Sequence, residues 1–265
     1  MKATVFLGGG RITSALIAGL RVAGHRGALV VHDRHPRKLR QLRKQYGIVA
    51  ENDLQKAVAH AGLLIIAVRP DSVKPLLQSI GTIRRYTIAV SLAAGIPLKK
   101  LSSWVGRPVH WVRAMPSPVC RSARGLTAVA FPRGLPSSAR AQITALFKQV
   151  GDVVEIPEKK FDVFTVTYSS SHGYHALSAL AGAAEKMGLD RKSALTAAAH
   201  ALGDGIAYWR DSGLAISRLL QEAATPGGVA ATTMSAMDAA GYKNAVRAGL
   251  RAGVARARKN ARFSR

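Results

Sequence analysis

The chain is 265 residues long and sets 39 lysines and arginines against 14 aspartates and glutamates, a formal net charge of +25. Its 48% hydrophobic content is enough to bury a core, which excludes a disordered polyelectrolyte, and its single cysteine, Cys120, excludes a disulfide scaffold. The most apolar runs, such as Leu63–Val68, fall far short of the roughly 18–20 residues of a membrane-spanning helix, and the excess of cations fits either a nucleic-acid surface or a site for a small polyanion.

Taken in chain order, short apolar runs alternate with helical patterns. Ala3–Leu7 predicts a buried strand and Ile12–Ala23 a helix. Ala28–His32 and Pro36–Tyr46 repeat the pair, as do Leu63–Val68 and Asp71–Ile80. Thr87–Ala93 and Pro108–Arg113 read as further strands, 139–150 as a helix and Asp152–Ile156 as a last strand. Strands separated by helices of this length indicate βαβ units on a parallel sheet. After about residue 160 the strand signal stops. Ala176–Met187 is an alanine-rich helix, Asp190 caps another running to about Trp209, and Ala215–Ala224 is broken by Thr225-Pro226-Gly227-Gly228. Two more helical patterns follow, the last from Lys243 to about Asn260. The expected division is an α/β domain at 1–158 and an all-α domain at 159–265. The start of the chain lacks the roughly 7–15-residue apolar stretch of a signal peptide, and with the lone cysteine this predicts a cytoplasmic protein.

Gly8-Gly9-Gly10-Arg11-Ile12-Thr13 follows the first strand and opens the first helix. In that position Gly8 permits a tight turn and Gly10 lets backbone approach a pyrophosphate at the helix N-terminus, beside Arg11 and Ile12, where free N–H groups and the helix dipole favour an anion. Thr13 replaces the third glycine of the dinucleotide fingerprint. At the end of the second strand, Asp33 occupies the place of the acidic residue that binds a ribose in NAD enzymes, yet Arg34, Arg37 and Lys38 follow it and suit a 2′-phosphate. Arg37 and Lys38 are equally well explained as a solvated helix face; Arg34 sits at the turn itself. The balance favours NADPH over NADH.

Six segments then fall in one register: Gly8–Thr13, Ala67-Val68-Arg69-Pro70, Ser91-Leu92-Ala93-Ala94-Gly95, Arg113-Ala114-Met115-Pro116, Gly125-Leu126-Thr127 and Thr225-Pro226-Gly227-Gly228. Over about residues 3–258 the chain resembles the pyrroline-5-carboxylate reductases. The resemblance implies a Rossmann-type parallel-sheet domain followed by an all-α dimerisation domain, a homodimer with further assembly open, and reduction of the cyclic imine 1-pyrroline-5-carboxylate to L-proline by NAD(P)H. It places Ala67, Val68, Arg69 and Pro70 along the cofactor, with Arg69 in place of a lysine, and Ala93, Ala94 and Gly95 beside the nicotinamide. Met115 lies in a segment like the family's Met-Pro-Asn, with Ser117 replacing the asparagine.

The departures fall on the substrate side. Of the family's Ser-Gly-Ser-Gly-Pro-Ala-Tyr, only Ser170 and Tyr174 survive within Tyr168–Tyr174, although Ser171 adds a hydroxyl. Gly227, Gly228 and Val229 keep the glycine turn, but Ala230 stands where a threonine contacts the substrate amine; Thr232 and Thr233 lie nearby. Imine reduction asks for little acid–base machinery, because the nicotinamide carries the hydride and the protein need only position, anchor and desolvate. Ser170, Tyr174, Thr232 and Thr233 are the candidate hydroxyls. His172 fits a general acid but also a residue that merely packs at a helix start, and no His, Cys, Asp or Glu grouping has metal-ligand spacing, so no metal is expected. The basic C-terminal helix, with Arg247, Arg251 and Arg258 on one face, reads as solvated and lacks interleaved aromatics, which argues against nucleic acid as a partner. Two alternatives stay open: a paralogue acting on another cyclic imine, and a non-catalytic cofactor binder whose basic surface meets an acidic partner.

Overall fold

The computed structural model describes residues 3–83 and 85–262. They divide into two compact units, residues up to 168 together with those from 253 onward, and residues 169–252.

The first unit is built on one eight-stranded sheet. Its elements are β1 (Ala3–Leu7), α1 (Arg11–Val22), β2 (Leu29–His32), α2 (Pro36–Tyr46), β3 (Val49–Glu51), α3 (Leu54–His60), β4 (Ala61–Ile66), α4 (Pro70–Ile80), β5 (Thr87–Ser91), α5 (Leu98–Trp104) and β6 (Val109–Pro116). A short 3-10 turn at Pro118–Ser122 then leads into β7 (Gly125–Ala130), α6 (Ser137–Lys148), β8 (Gly151–Glu155) and α7 (Glu158–Thr167). The strand order is β3-β2-β1-β4-β5-β6-β7-β8. Neighbours from β3 to β6 are parallel; β7 runs antiparallel to β6, and β8 parallel to β7. The parallel sheet expected from the alternation is therefore present, with two reversed strands added at one edge.

Both faces of the sheet are covered, which is why its central strands are continuously apolar. Side chains alternate between faces: Phe6 and Ile65 join a core with Leu16, Ile17 and Phe147 from α1 and α6, whereas Val5, Leu7, Leu64 and Ile66 join Val73, Leu77 and Leu101 from α4 and α5 on the other face. The chain leaves β1 toward β2 on one side and returns to β4 on the other. Leu7 and Ile66 lie in register at that reversal, and the crevice beyond them is where open α/β sheets bind ligands.

Several elements lie outside the expected set. β3, α3 and α5 are short, β7 is a six-residue strand, and α7 occupies the interval around the expected domain boundary. Phe161 of α7 is buried against Ala128 and Ala130 of β7, so this helix packs with the sheet, and the compact units part after Tyr168. β4 ends at Ile66, two residues before the expected Val68, although the Ala67 N–H still donates to the Leu7 carbonyl at 2.8 Å.

The second unit is helical: α8 (Ser170–Lys186), α9 (Arg191–Ser212), α10 (Ile216–Ala223), α11 (Val229–Ala239) and the first part of α12 (Tyr242–Arg262). The Asp190 carboxylate accepts from the Lys192 and Ser193 N–H groups, the expected cap of α9. Helices α8 and α9 meet through Leu177, Ala181, Ala184, Ala194 and Ala198. Neither α10 nor α11 has a buried residue, while Ile206, Trp209, Leu220 and Met237 are exposed.

Candidate functional site

The site grows from the turn between β1 and α1. Gly8 has φ +111, and its N–H donates to the His32 carbonyl at 2.8 Å. A Cβ here would stand 2.7 Å from the Ala67 carbonyl oxygen, so only glycine fits both the angle and the approach. The buried Thr13 hydroxyl donates to the Gly8 carbonyl at 2.6 Å, which gives the residue replacing the third glycine a definite task in fixing the turn. Gly10 is the N-cap of α1; no side chain caps it and no acid lies in the first turn. A Cβ on Gly10 would meet nothing within 4 Å. The first N–H groups of α1 therefore lack a capping side chain beside an open Gly10, in a positive helix-end field suited to a pyrophosphate.

Gly8 and Gly10 open onto a groove of about 630 Å³. Asp33 and Arg34 line it from the end of β2, and Ala67, Val68 and Arg69 from the end of β4. Lys38 joins them, four residues after Arg34 in the first turn of α2, as does His35, which no motif singled out. Arg11, Ile12, Pro70, Ala93, Ala94 and Gly95 are not among the lining residues. Arg11 and Ile12 form the first turn of α1, and Pro70 opens α4. Ala93–Gly95 follow β5 and are held by the end of α12: the Asn260 amide donates to the Ala94 carbonyl at 3.2 Å, and Gly95 (φ +77) packs directly on the Ala257 carbonyl.

Asp33 is tied on both oxygens. Oδ2 accepts from the Gly9 N–H at 2.8 Å and lies 3.9 Å from the Lys38 ammonium; Oδ1 accepts from the His35 N–H at 2.8 Å.

On β6, Met115 packs into the apolar layer with Phe161, Phe164 and Tyr168. Burial pushes the Tyr168 hydroxyl far above its usual range. Arg113 went unremarked as a buried charge: its side chain is 3% exposed and is paired with Asp162 and Glu158 of α7.

In the helical unit, Ser170 and Ser171 lie in the first turn of α8, which begins six residues before the expected Ala176, with Ser169 as N-cap. The Ser169 and Ser171 hydroxyls are 2.8 Å apart, and Tyr174 is exposed one turn on. Thr225–Gly228 closes a turn through the Gly228 N–H to the Thr225 carbonyl at 2.9 Å, with Gly227 at φ +75. Gly228 then caps α11, whose first turn holds Val229 and Ala230, no acid and no capping side chain. The Thr232 and Thr233 hydroxyls donate back to the Gly228 and Val229 carbonyls, at 3.1 and 2.9 Å. Their protons are thereby committed to α11, and only lone pairs remain for a ligand.

A doubly wound sheet with a glycine loop, an uncapped helix N-terminus and a cationic groove at its topological reversal defines a dinucleotide-binding oxidoreductase. A family described as NADP oxidoreductase, coenzyme F420-dependent, matches residues 4–95, and one described as pyrroline-5-carboxylate reductase dimerisation matches residues 158–260. Over nearly its full length the chain is similar to pyrroline-5-carboxylate reductases. The pyrroline-5-carboxylate reductase of Mycobacterium tuberculosis is 29% identical over 97% of this chain and 96% of its own length. Two solved structures share the fold. The Plasmodium falciparum pyrroline carboxylate reductase with NADP bound has a TM-score of 0.88 at 20% identity, covering 98% of each chain. The 1-pyrroline-5-carboxylate reductase of Streptococcus pyogenes has a TM-score of 0.89 at 22% identity, covering 97% of this chain and 98% of its own. Among the described residues no helix is long and apolar enough to cross a membrane.

Proposed function

We propose that this chain is an NADPH-dependent reductase that converts 1-pyrroline-5-carboxylate to L-proline, acting as a cytoplasmic homodimer. The observation that carries the reading is the full-length likeness to pyrroline-5-carboxylate reductases in a chain whose strand ends build the nucleotide groove. That likeness favours this activity over a paralogous reductase or a non-catalytic binder.

The residues fit the cofactor. Gly8, Gly10, Arg11 and Ile12 would hold the pyrophosphate through backbone N–H groups and one guanidinium; Arg34, with Lys38 behind it, would hold the 2′-phosphate. Ala67–Pro70 would run beneath the dinucleotide, and the small side chains of Ala93–Gly95 would leave room for the ring. When bound, the cofactor supplies a hydride to the imine carbon. In the helical unit, the uncapped N-terminus of α11 at Gly228, Val229 and Ala230 suits the substrate carboxylate. Ser170, Ser171 and Tyr174 carry hydroxyls to hydrogen-bond the nitrogen as it becomes an amine. Thr232 and Thr233 serve only as acceptors. Met115 supports the layer under β6. The exposed apolar side chains of α9 to α11 suit burial against a second copy, as does the match to a dimerisation family.

The test is a steady-state assay of purified protein with 1-pyrroline-5-carboxylate, following loss of reduced-nicotinamide absorbance. Consumption of NADPH with one L-proline formed per NADPH supports the proposal. Clear NADPH binding without turnover at millimolar substrate overturns it.

A further inference from the structure

We infer that Asp33 is a positioning residue for the nucleotide loop and not a ligand of the cofactor's ribose, so this groove selects NADPH although it carries the acidic residue of NADH-binding sheets. The inference rests on the proposal that the groove binds NADPH.

A carboxylate that reads a ribose must offer its oxygens to the two hydroxyls. Here each oxygen spends one of its two acceptor sites on a backbone N–H at 2.8 Å, one from Gly9 in the turn after β1 and one from His35 in the turn before α2, and Oδ2 also faces the Lys38 ammonium. The side chain is 10% exposed and lies beneath the loop, in van der Waals reach of Gly9, where a Cβ would stand 3.4 Å from Oδ2. One carboxylate thus joins two loops that come from different βα turns, and both line the same groove through Gly8, Gly10, Arg34 and Lys38. The charge is offset as well. Lys38 stands 3.9 Å from Oδ2, and Arg34 is exposed in the same wall, so a 2′-phosphate arriving there meets a net positive field and not a bare carboxylate. The two roles make opposite forecasts. Removing a ribose ligand weakens NADH and relieves repulsion of NADPH. Removing the tie between the loops loosens the pyrophosphate cradle that both cofactors share.

The experiment titrates NADPH and NADH into the full chain by nucleotide fluorescence, for the wild type, Asp33→Ala and Asp33→Asn, with kcat and KM for each cofactor alongside. Asp33→Ala is expected to raise both dissociation constants by the same factor, about tenfold. Cofactor KM should rise with it while kcat at saturation stays within about twofold. Asp33→Asn keeps one acceptor oxygen and should recover part of the loss, equally for both. Tighter NADPH with weaker NADH in Asp33→Ala overturns the inference, as does no change in either, or an Asn variant no better than Ala. If Asp33→Ala does not fold, Asp33→Asn decides alone: a smaller equal loss supports the inference, and a selective change or none overturns it. A wild type that binds neither dinucleotide overturns the groove proposal and this inference together, an outcome distinct from a selective change in the variant.

Discussion

The Arg113 guanidinium on β6 donates through Nη2 to the Asp162 carboxylate on α7 at 2.5 Å, and this pair joins the sheet to the helix that closes its reversed edge. The cation also lies 3.7 Å from Glu158 and 4.5 Å from the centre of the Phe161 ring. Glu158 in turn accepts the Leu98 N–H that opens α5, at 2.6 Å. One buried charge therefore ties β6 to α7 and, through Glu158, to the start of α5. Asp162→Ala would leave that cation buried with only the more distant Glu158. A loss on the order of 3 kcal/mol is expected in urea unfolding. The joint replacement Arg113→Met with Asp162→Leu should cost clearly less, because no charge is then stranded. Equal losses in the two variants would mean the ion pair is not what holds α7.

How much of this was legible differs by element, for physical reasons. β1 and α2 lie where the pattern placed them, because one is an unbroken apolar run and the other is bounded by Pro36 and Gly47, whose φ is +61. The α3 helix was overlooked, although Asp53 caps it by accepting from Gln55 and Lys56; at seven residues it shows too little periodicity. Most of the groove was readable because ligands gather at strand ends in parallel sheets, so naming β1, β2 and β4 already brought Gly8, Arg34 and Ala67 together. The task of Asp33 was not readable, because two backbone N–H groups from separate turns decide it. The Arg113 cluster was hidden in the same way, since it depends on how α7 lies against β6 and β7. The expected helix starts only at Ala176 because serine, histidine and glycine at 170–175 disfavour helix interiors; Ser169 and the rest of α8 outweigh that preference.

Arg34 gives the cleanest contrast with Asp33. It is exposed in the groove wall and has no structural tie resembling the two carried by Asp33. Arg34→Glu should weaken NADPH by at least about tenfold while leaving NADH nearly unchanged, since only NADPH carries the 2′-phosphate. Fluorescence titration of both cofactors reads this directly. Equal weakening, or none, would show that Arg34 does not touch that phosphate.

Gly95 combines a left-handed backbone with a carbonyl pressed against its α-carbon. Its φ is +77, and a Cβ would overlap the Ala257 carbonyl near the end of α12, beside the Asn260 bond to Ala94 and the Lys100 bond to the Ala261 carbonyl. Gly95→Ala should cost on the order of 2–4 kcal/mol and raise the NADPH KM severalfold, because α12 must move away from the segment assigned to the nicotinamide. Gly134→Ala is the control. Gly134 has φ +76 but open space around it, so that variant isolates backbone strain, about 1 kcal/mol. Thermal melting and NADPH titration of the pair separate strain from collision; similar losses in both would remove the collision from the account.

Cys120 is fully buried in the 3-10 turn that packs on α1, where a Cβ on Gly19 would lie 3.0 Å from the Cys120 carbonyl carbon. Burial pushes its thiol up to about 11, and the nearby Arg121 charge only partly opposes that rise. At pH 8 the native thiol is then about one part in a thousand ionised, so an aromatic disulfide reagent should label the chain at the rate of unfolding and label the denatured chain rapidly. The sign for stability follows from proton counts. Between the unfolded value of roughly 8.5 and the native value, the folded chain holds a proton that the unfolded chain has released. This contribution to stability is therefore complete below about pH 8.5 and fades as pH rises toward 11. Urea unfolding of wild type and Cys120→Ala at pH 8 and pH 10 measures it. The variant should lose less stability between the two pH values than the wild type, whatever its absolute stability. An equal decline in both would assign the alkaline loss to other groups, and prompt labelling of the native protein would show that the turn opens.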